Sequence, residues 1–126
     1  MRDAPDAVDQ ALAAADAARR RGDRTEAAQA LEAALTAARP NDKRRGLAAL
    51  TLARLILRND PARAARVLRD AFGAMPADLV EDALARRVEA EGRSGRRDEA
   101  ARLADEYERR FPAGQRASEV KRWSGE

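Results

Sequence analysis

The chain has 126 residues, with 25 basic and 22 acidic side chains, no cysteine and no histidine. Disulfide frameworks and sites built on a thiolate or an imidazole are thereby excluded, and a net charge of +3 does not by itself argue for nucleic acid. Alanine supplies 32 residues and arginine 23, which leaves 24 apolar residues larger than alanine; the core must be thin, the helices close together and the fold all-α, with no large sheet.

Helix punctuation divides the chain into predicted helices over residues 5–21, 24–38, 42–58, 61–74, 78–93 and 97–110, with a shorter one near 115–123. The alanine-rich segment that follows Met1–Asp6 is interrupted by Asp9 and Asp16, so it lacks the unbroken apolar stretch of a secretory signal. No segment has the eighteen or so consecutive apolar residues of a membrane span. The expected location is therefore the cytoplasm, unless the chain is a piece of an envelope-associated protein. Gly22 suits the exit of the first helix, and Asp23 with Glu26 fits a capping box for the second.

The third helix, Leu47 to Leu57, is apolar nearly all round, so it is expected to be covered on more than one side. It is either a binding surface or simply the central helix of the core. Asp60-Pro61 places a cap before a proline at the first position of the fourth helix, Asp78 with Glu81 repeats the box pattern, and Gly95 suits the exit of the fifth. Connections of two to four residues make neighbouring helices antiparallel.

Three stretches are near-copies: Gly22-Asp23-Arg24-Thr25-Glu26-Ala27-Ala28 through Pro40, Asn59-Asp60-Pro61-Ala62-Arg63-Ala64-Ala65 through Pro76, and Gly95-Arg96-Arg97-Asp98-Glu99-Ala100-Ala101 through Pro112. Their prolines are 36 and 36 residues apart, and their first alanines 37 and 36. Such a period, with two helices in each unit, predicts a helical solenoid in which a unit buries its apolar face only against a neighbour. The expected organisation is one domain over residues 1–126, with units at about 5–40, 42–76 and 78–112 and a capping helix at about 115–123.

These units resemble the tetratricopeptide repeat, a helix pair of about 34 residues with a Gly-Asp-x-x-x-Ala turn and a closing proline. The chain is similar to a divergent, alanine- and arginine-rich bacterial version of it. Ala15, Leu52 and Val88 stand at the packing position of the first helices, and Ala27, Ala64 and Ala100 follow the turn into the second. Leu31 and Leu68 suit the bulky position of the second helices, where Ala104 is small, while Tyr107 is large where Ala34 and Ala71 are small. Ala11, Ala48 and Leu84 replace the usual aromatics of the first helices. Phe111-Pro112-Ala113-Gly114-Gln115-Arg116-Ala117 resembles the connection between repeats in envelope-associated members.

The resemblance implies a non-catalytic protein-interaction module that holds a partner peptide or helix in a concave groove. It places Ala49, Leu50, Ala53, Ile56 and Leu57 on the inner surface, beside Leu12, Ala13, Asp16, Arg19 and Arg20 on one flank and Asp82, Ala85, Arg86, Glu89 and Arg93 on the other. The expected partner-binding residues are Leu50, Ile56 and Leu57 as an apolar floor, with Arg19, Arg20, Arg86 and Arg93 orienting the guest. The family's carboxylate clamp is unsupported, since of the matching positions only Arg86 has the required character.

No catalytic residue, metal ligand or cofactor is expected, because no base or nucleophile of the usual kind exists and the carboxylates read as solvated helix faces. Arg19-Arg20-Arg21 with Arg24, Arg54 with Arg58 and Arg63, and Arg93 with Arg96 and Arg97 surround the turns inside the units and would form a basic edge in a stack. Interspersed acids and the lack of interleaved aromatics argue against nucleic acid there. Three alternatives stay open: a small secretion-type chaperone, an Arg-edge binder of nucleic acid or an acidic partner, and a structural homo-oligomer. Trp123 is expected to cover the last helix pair or else to anchor a partner.

Overall fold

The computed structural model describes residues 6–124 and contains, among them, seven α-helices and no strand. They are α1 (Ala7–Arg20), α2 (Arg24–Ala37), α3 (Lys43–Ile56), α4 (Pro61–Ala71), α5 (Val80–Arg93), α6 (Arg97–Arg110) and α7 (Ala117–Trp123). Short 3-10 turns at Phe72–Ala74 and Ala77–Leu79 flank the Met75-Pro76 link. The all-α expectation holds, and each helix falls within two or three residues of its expected span. Residue 5, where the first helix was expected to begin, lies outside the described residues.

Local chemistry explains most of these boundaries. Gly22 and Gly95 adopt φ of 75° and 84°, which a side chain resists. The residue after each glycine donates its N–H five residues back, Asp23 to Ala18 and Arg96 to Glu91, at 2.9 Å in both cases. Asp23 caps α2 by accepting from the Glu26 N–H at 3.0 Å, and Asp60 caps α4 from Arg63 with Pro61 in the first turn. The reciprocal half of the α2 box is replaced: Glu26 pairs with Arg21, and the Asp23 N–H is already taken by Ala18. The expected Asp78–Glu81 box does not form. Asp78 lies in the 3-10 turn, α5 starts without a side-chain cap, and the Glu81 carboxylate accepts from the Tyr107 hydroxyl and the Gln115 N–H, each at 2.8 Å.

Helices pack in neighbouring pairs, α1 on α2, α3 on α4 and α5 on α6. Contacts of α2 with α3 and of α4 with α5 join the pairs, and α7 lies across α5 and α6. Ala27, Ala64 and Ala100 each occupy the fourth position of the second helix of a pair, and each is wholly buried. Ala34, Ala71 and Tyr107 also share one register and are buried, so a tyrosine in the last pair fills space that the other pairs close by approach. More than half of the buried apolar residues are alanine. The larger side chains gather in two clusters, one around Leu31, Leu50, Leu52 and Leu68, the other around Leu84, Val88, Leu103, Tyr107 and Val120, and Phe72 packs against both. Burying each such leucine contributes about 1.5–3 kcal/mol. Burial pushes the Tyr107 phenol up, and the Glu81 carboxylate that accepts its hydrogen bond pushes the same way.

At the opposite end, Arg44 ties α1 to α3. Its guanidinium bonds Asp42 at 2.6 Å, Asp6 at 3.0 Å and Asp9 at 2.9 Å, while Asp6 and Asp42 also cap their own helices. The Asp9 N–H and then Arg44 hold the Asp6 carboxyl below its ordinary value; the Arg44 side chain and N–H do the same for Asp42. Depressed carboxyl values favour the fold wherever the groups are ionised. This contribution is complete above the unfolded value of about 3.9 and disappears as pH falls through the lower folded values. Arg44→Gln is therefore expected to raise the acid unfolding midpoint followed by far-UV circular dichroism, and an unchanged midpoint would show that the cluster does not favour the fold.

Candidate functional site

Arg54 lies near the end of α3 with Leu55 beside it, and Arg58 follows in the turn after the helix. On α5, Asp82, Arg86, Glu89 and Arg93 make a second stripe at helical spacing. The chain then returns after α6, so that Arg116 and, from α7, Glu119, Arg122 and Trp123 complete a third wall. The three walls, with Arg24 from the start of α2, enclose a cleft of about 490 Å³ lined by seven arginines and two glutamates.

The return of α7 is fixed by close contacts. A Cβ on Gly114 would collide with the Tyr107 hydroxyl, and one on Gly92 would lie 2.8 Å from the Trp123 carbonyl. The Tyr107 oxygen also accepts the Arg116 N–H at 3.0 Å. Arg93 stacks over the Trp123 ring at 4.5 Å, while the ring packs on the cluster between α5 and α6. Trp123 thus covers the last helix pair, as the simpler of its two readings expects.

Asp82 is the electrostatic hub of the cleft. It pairs with Arg54, with Arg116 at 2.8 Å and with Arg86 at 3.4 Å. Arg54 donates a hydrogen bond to its Oδ2, whereas Oδ1 and the Arg86 Nε are buried without a well-aligned hydrogen bond, so the pairs with Arg116 and Arg86 are held by charge more than by geometry. Glu89 takes Arg93 at 2.7 Å, and Glu119 takes Arg116 at 3.1 Å. Arg24 donates to the Leu55 carbonyl at 2.6 Å. Arg58 and Arg122 are exposed and have no ion-pair partner among the described residues.

The residues expected from sequence divide into two sets. Arg86 and Arg93 line the cleft. Arg19 lines an adjoining hollow that shares Arg24, Arg54 and Leu55 with it, and Arg20 lies beyond with Arg19 and Asp16. The apolar floor is not a surface. Leu50, Ile56 and Leu57 are only 1%, 8% and 3% exposed, and Ala49 and Ala53 are fully buried, because α2, α4 and α5 close around α3. Leu57 merely borders the cleft, and Ile56 borders another hollow, between α2 and the α3–α4 turn, that shares Arg24 and Leu55 with the cleft. For the third helix the central-core reading is the one realised.

The basic edge is also divided. Arg24, Arg54, Arg58 and Arg93 meet in the cleft, Arg63 lies with Glu32 in the α2-side hollow, and Arg96 and Arg97 line another beside Asp98 and Glu99. Sequence reasoning missed Asp82 as the hub, and it missed Arg116 and Arg122 altogether. The spacing of Asp82, Arg86, Glu89 and Arg93 was a legible signal for one wall; nothing local signalled that α7 would supply another.

Among the described residues no cluster of His, Cys, Asp or Glu is arranged to hold a metal ion, and no helix is long and apolar enough to cross a membrane. The family model described as chemotaxis protein MotC matches residues 1–122. No curated protein and no solved structure matches the chain.

Proposed function

The chain belongs to the chemotaxis protein MotC family, and from that premise we propose that it is a non-catalytic protein-binding module of tetratricopeptide-like architecture that serves motility or chemotaxis. It holds a segment of a partner protein in the cleft between α3, α5 and α7. The observation that carries this reading is the contrast between a closed apolar interior and an open cationic cleft. Among the described residues Leu47, 43% exposed, is the sole large apolar side chain left in solvent. A surface that shields apolar segments, as in the secretion-chaperone reading, needs a wider apolar patch than this. Specificity therefore comes from guanidinium contacts rather than from an apolar floor.

Arg58→Glu with Arg122→Glu is the informative pair, because neither side chain has an ion pair to lose among the described residues. In a motile host that depends on this chain, the double variant is expected to leave circular dichroism and cellular abundance unchanged while reducing spreading in soft agar to the level of the deletion strain. Full restoration of spreading by the double variant would remove the cleft from the function.

A further inference from the structure

We infer that the occupant of this cleft is an acidic protein segment, a run of Glu or Asp side chains carrying an apolar residue; the inference rests on the cleft being the partner site and adds the partner's chemistry. The first argument is charge. Seven guanidiniums face two lining carboxylates and the Asp82 hub, so cations remain in excess after every internal pair is made. A concave cationic wall focuses its field on the space in front of it and draws anions there. Arg58, from the turn after α3, and Arg122, from α7, line the cleft with donors uncommitted to any acid among the described residues, and planar guanidinium forks match carboxylates two bonds at a time.

Shape separates a chain from a compact anion. The cleft continues through shared Arg24, Arg54 and Leu55 into the hollow at Arg19, and then to the hollow that Arg19 shares with Arg20. A row of basic side chains thus runs from α7 to the end of α1, a track suited to a polymer of regularly spaced negative charges. The polymer is protein rather than nucleic acid. Base recognition along a strand needs exposed aromatic faces, and the single aromatic ring of the cleft, Trp123, already has Arg93 over it. Leu55 at the junction of the cleft with the Arg19 hollow, and the Trp123 edge at the α7 end, add apolar surface along the track, which fits an apolar side chain among the acids.

Trp123 is the only tryptophan of the chain, so its emission reports on the cleft directly. The full chain is titrated with synthetic peptides built on one scaffold of Glu and Leu, with every Glu replaced by Gln in the second and by Lys in the third, and with a single-stranded oligonucleotide. The Glu peptide is expected to change Trp123 emission saturably, to weaken as salt is raised, and to bind at least about tenfold more weakly to the Arg58→Glu/Arg122→Glu variant. The Lys peptide is expected to have no effect. Equal binding of the Gln peptide would overturn the acidic assignment while leaving the cleft as a protein site. Tighter binding of the oligonucleotide would overturn both. If no peptide binds, the acidic assignment is wrong, and the soft-agar phenotype of the double variant decides separately whether the cleft is the partner site.

Discussion

Leu50→Asp is expected to abolish the native fold rather than to remove a binding contact. Leu50 is 1% exposed and sits in the larger cluster with Leu31, Leu52 and Leu68, on the helix that α2, α4 and α5 surround. Truncating a buried leucine to alanine costs about 2–5 kcal/mol, and placing a carboxylate there adds a desolvation penalty of several kcal/mol. Together these approach the whole stability of a small domain, roughly 5–15 kcal/mol. Far-UV circular dichroism and urea unfolding check this, with Leu50→Ala as the milder companion, expected to stay folded but to unfold at lower urea. A Leu50→Asp chain with wild-type helicity and urea midpoint would place Leu50 on a surface and restore it as a groove residue.

Gly46→Ala is expected to destabilise the chain by about 1–3 kcal/mol, against what helix propensity alone would say. Gly46 lies in the first turn of α3, where alanine gains about 1 kcal/mol over glycine from backbone entropy. Its new Cβ, however, would stand 2.5 Å from the Ala74 carbonyl oxygen and 2.7 Å from the Met75 Cα. Both obstacles are backbone, so no rotamer change relieves them, and α3 must move away from the 3-10 turn that links the second pair to the third. Gly73 is the control: a Cβ there meets nothing within 4 Å, so Gly73→Ala is expected to stay within about 0.5 kcal/mol of wild type. Chemical denaturation of the three proteins side by side tests the contrast. A stabilised Gly46→Ala chain would mean that α3 and the turn do not approach so closely.

Much of the architecture was legible because helix boundaries depend on neighbours a few residues away. Asp23, Asp60, Gly22 and Gly95 act within one turn, and the turns formed where those residues stand. The recurring alanines at 27, 64 and 100 were legible for a related reason: a repeated close contact leaves a repeated small residue. The Asp78–Glu81 box was misread because Glu81 found distant partners, Tyr107 and the Gln115 N–H, and these outweigh a local N–H that a 3-10 turn places elsewhere. The apolar ring of α3 was ambiguous in principle, since a groove floor and a core helix are equally apolar.

From its residues alone, this chain is committed to seven short helices in antiparallel pairs with thin, alanine-rich packing, because capping, propensity and repeat spacing are interactions of short range in sequence. Tertiary placement decided which charges meet. Asp82 gathers Arg54 from 28 residues before it and Arg116 from 34 residues after it, and Trp123 returns to lie under Arg93. Such meetings depend on where whole helices come to rest, and long guanidinium arms turn a small shift of a helix axis into a different partner.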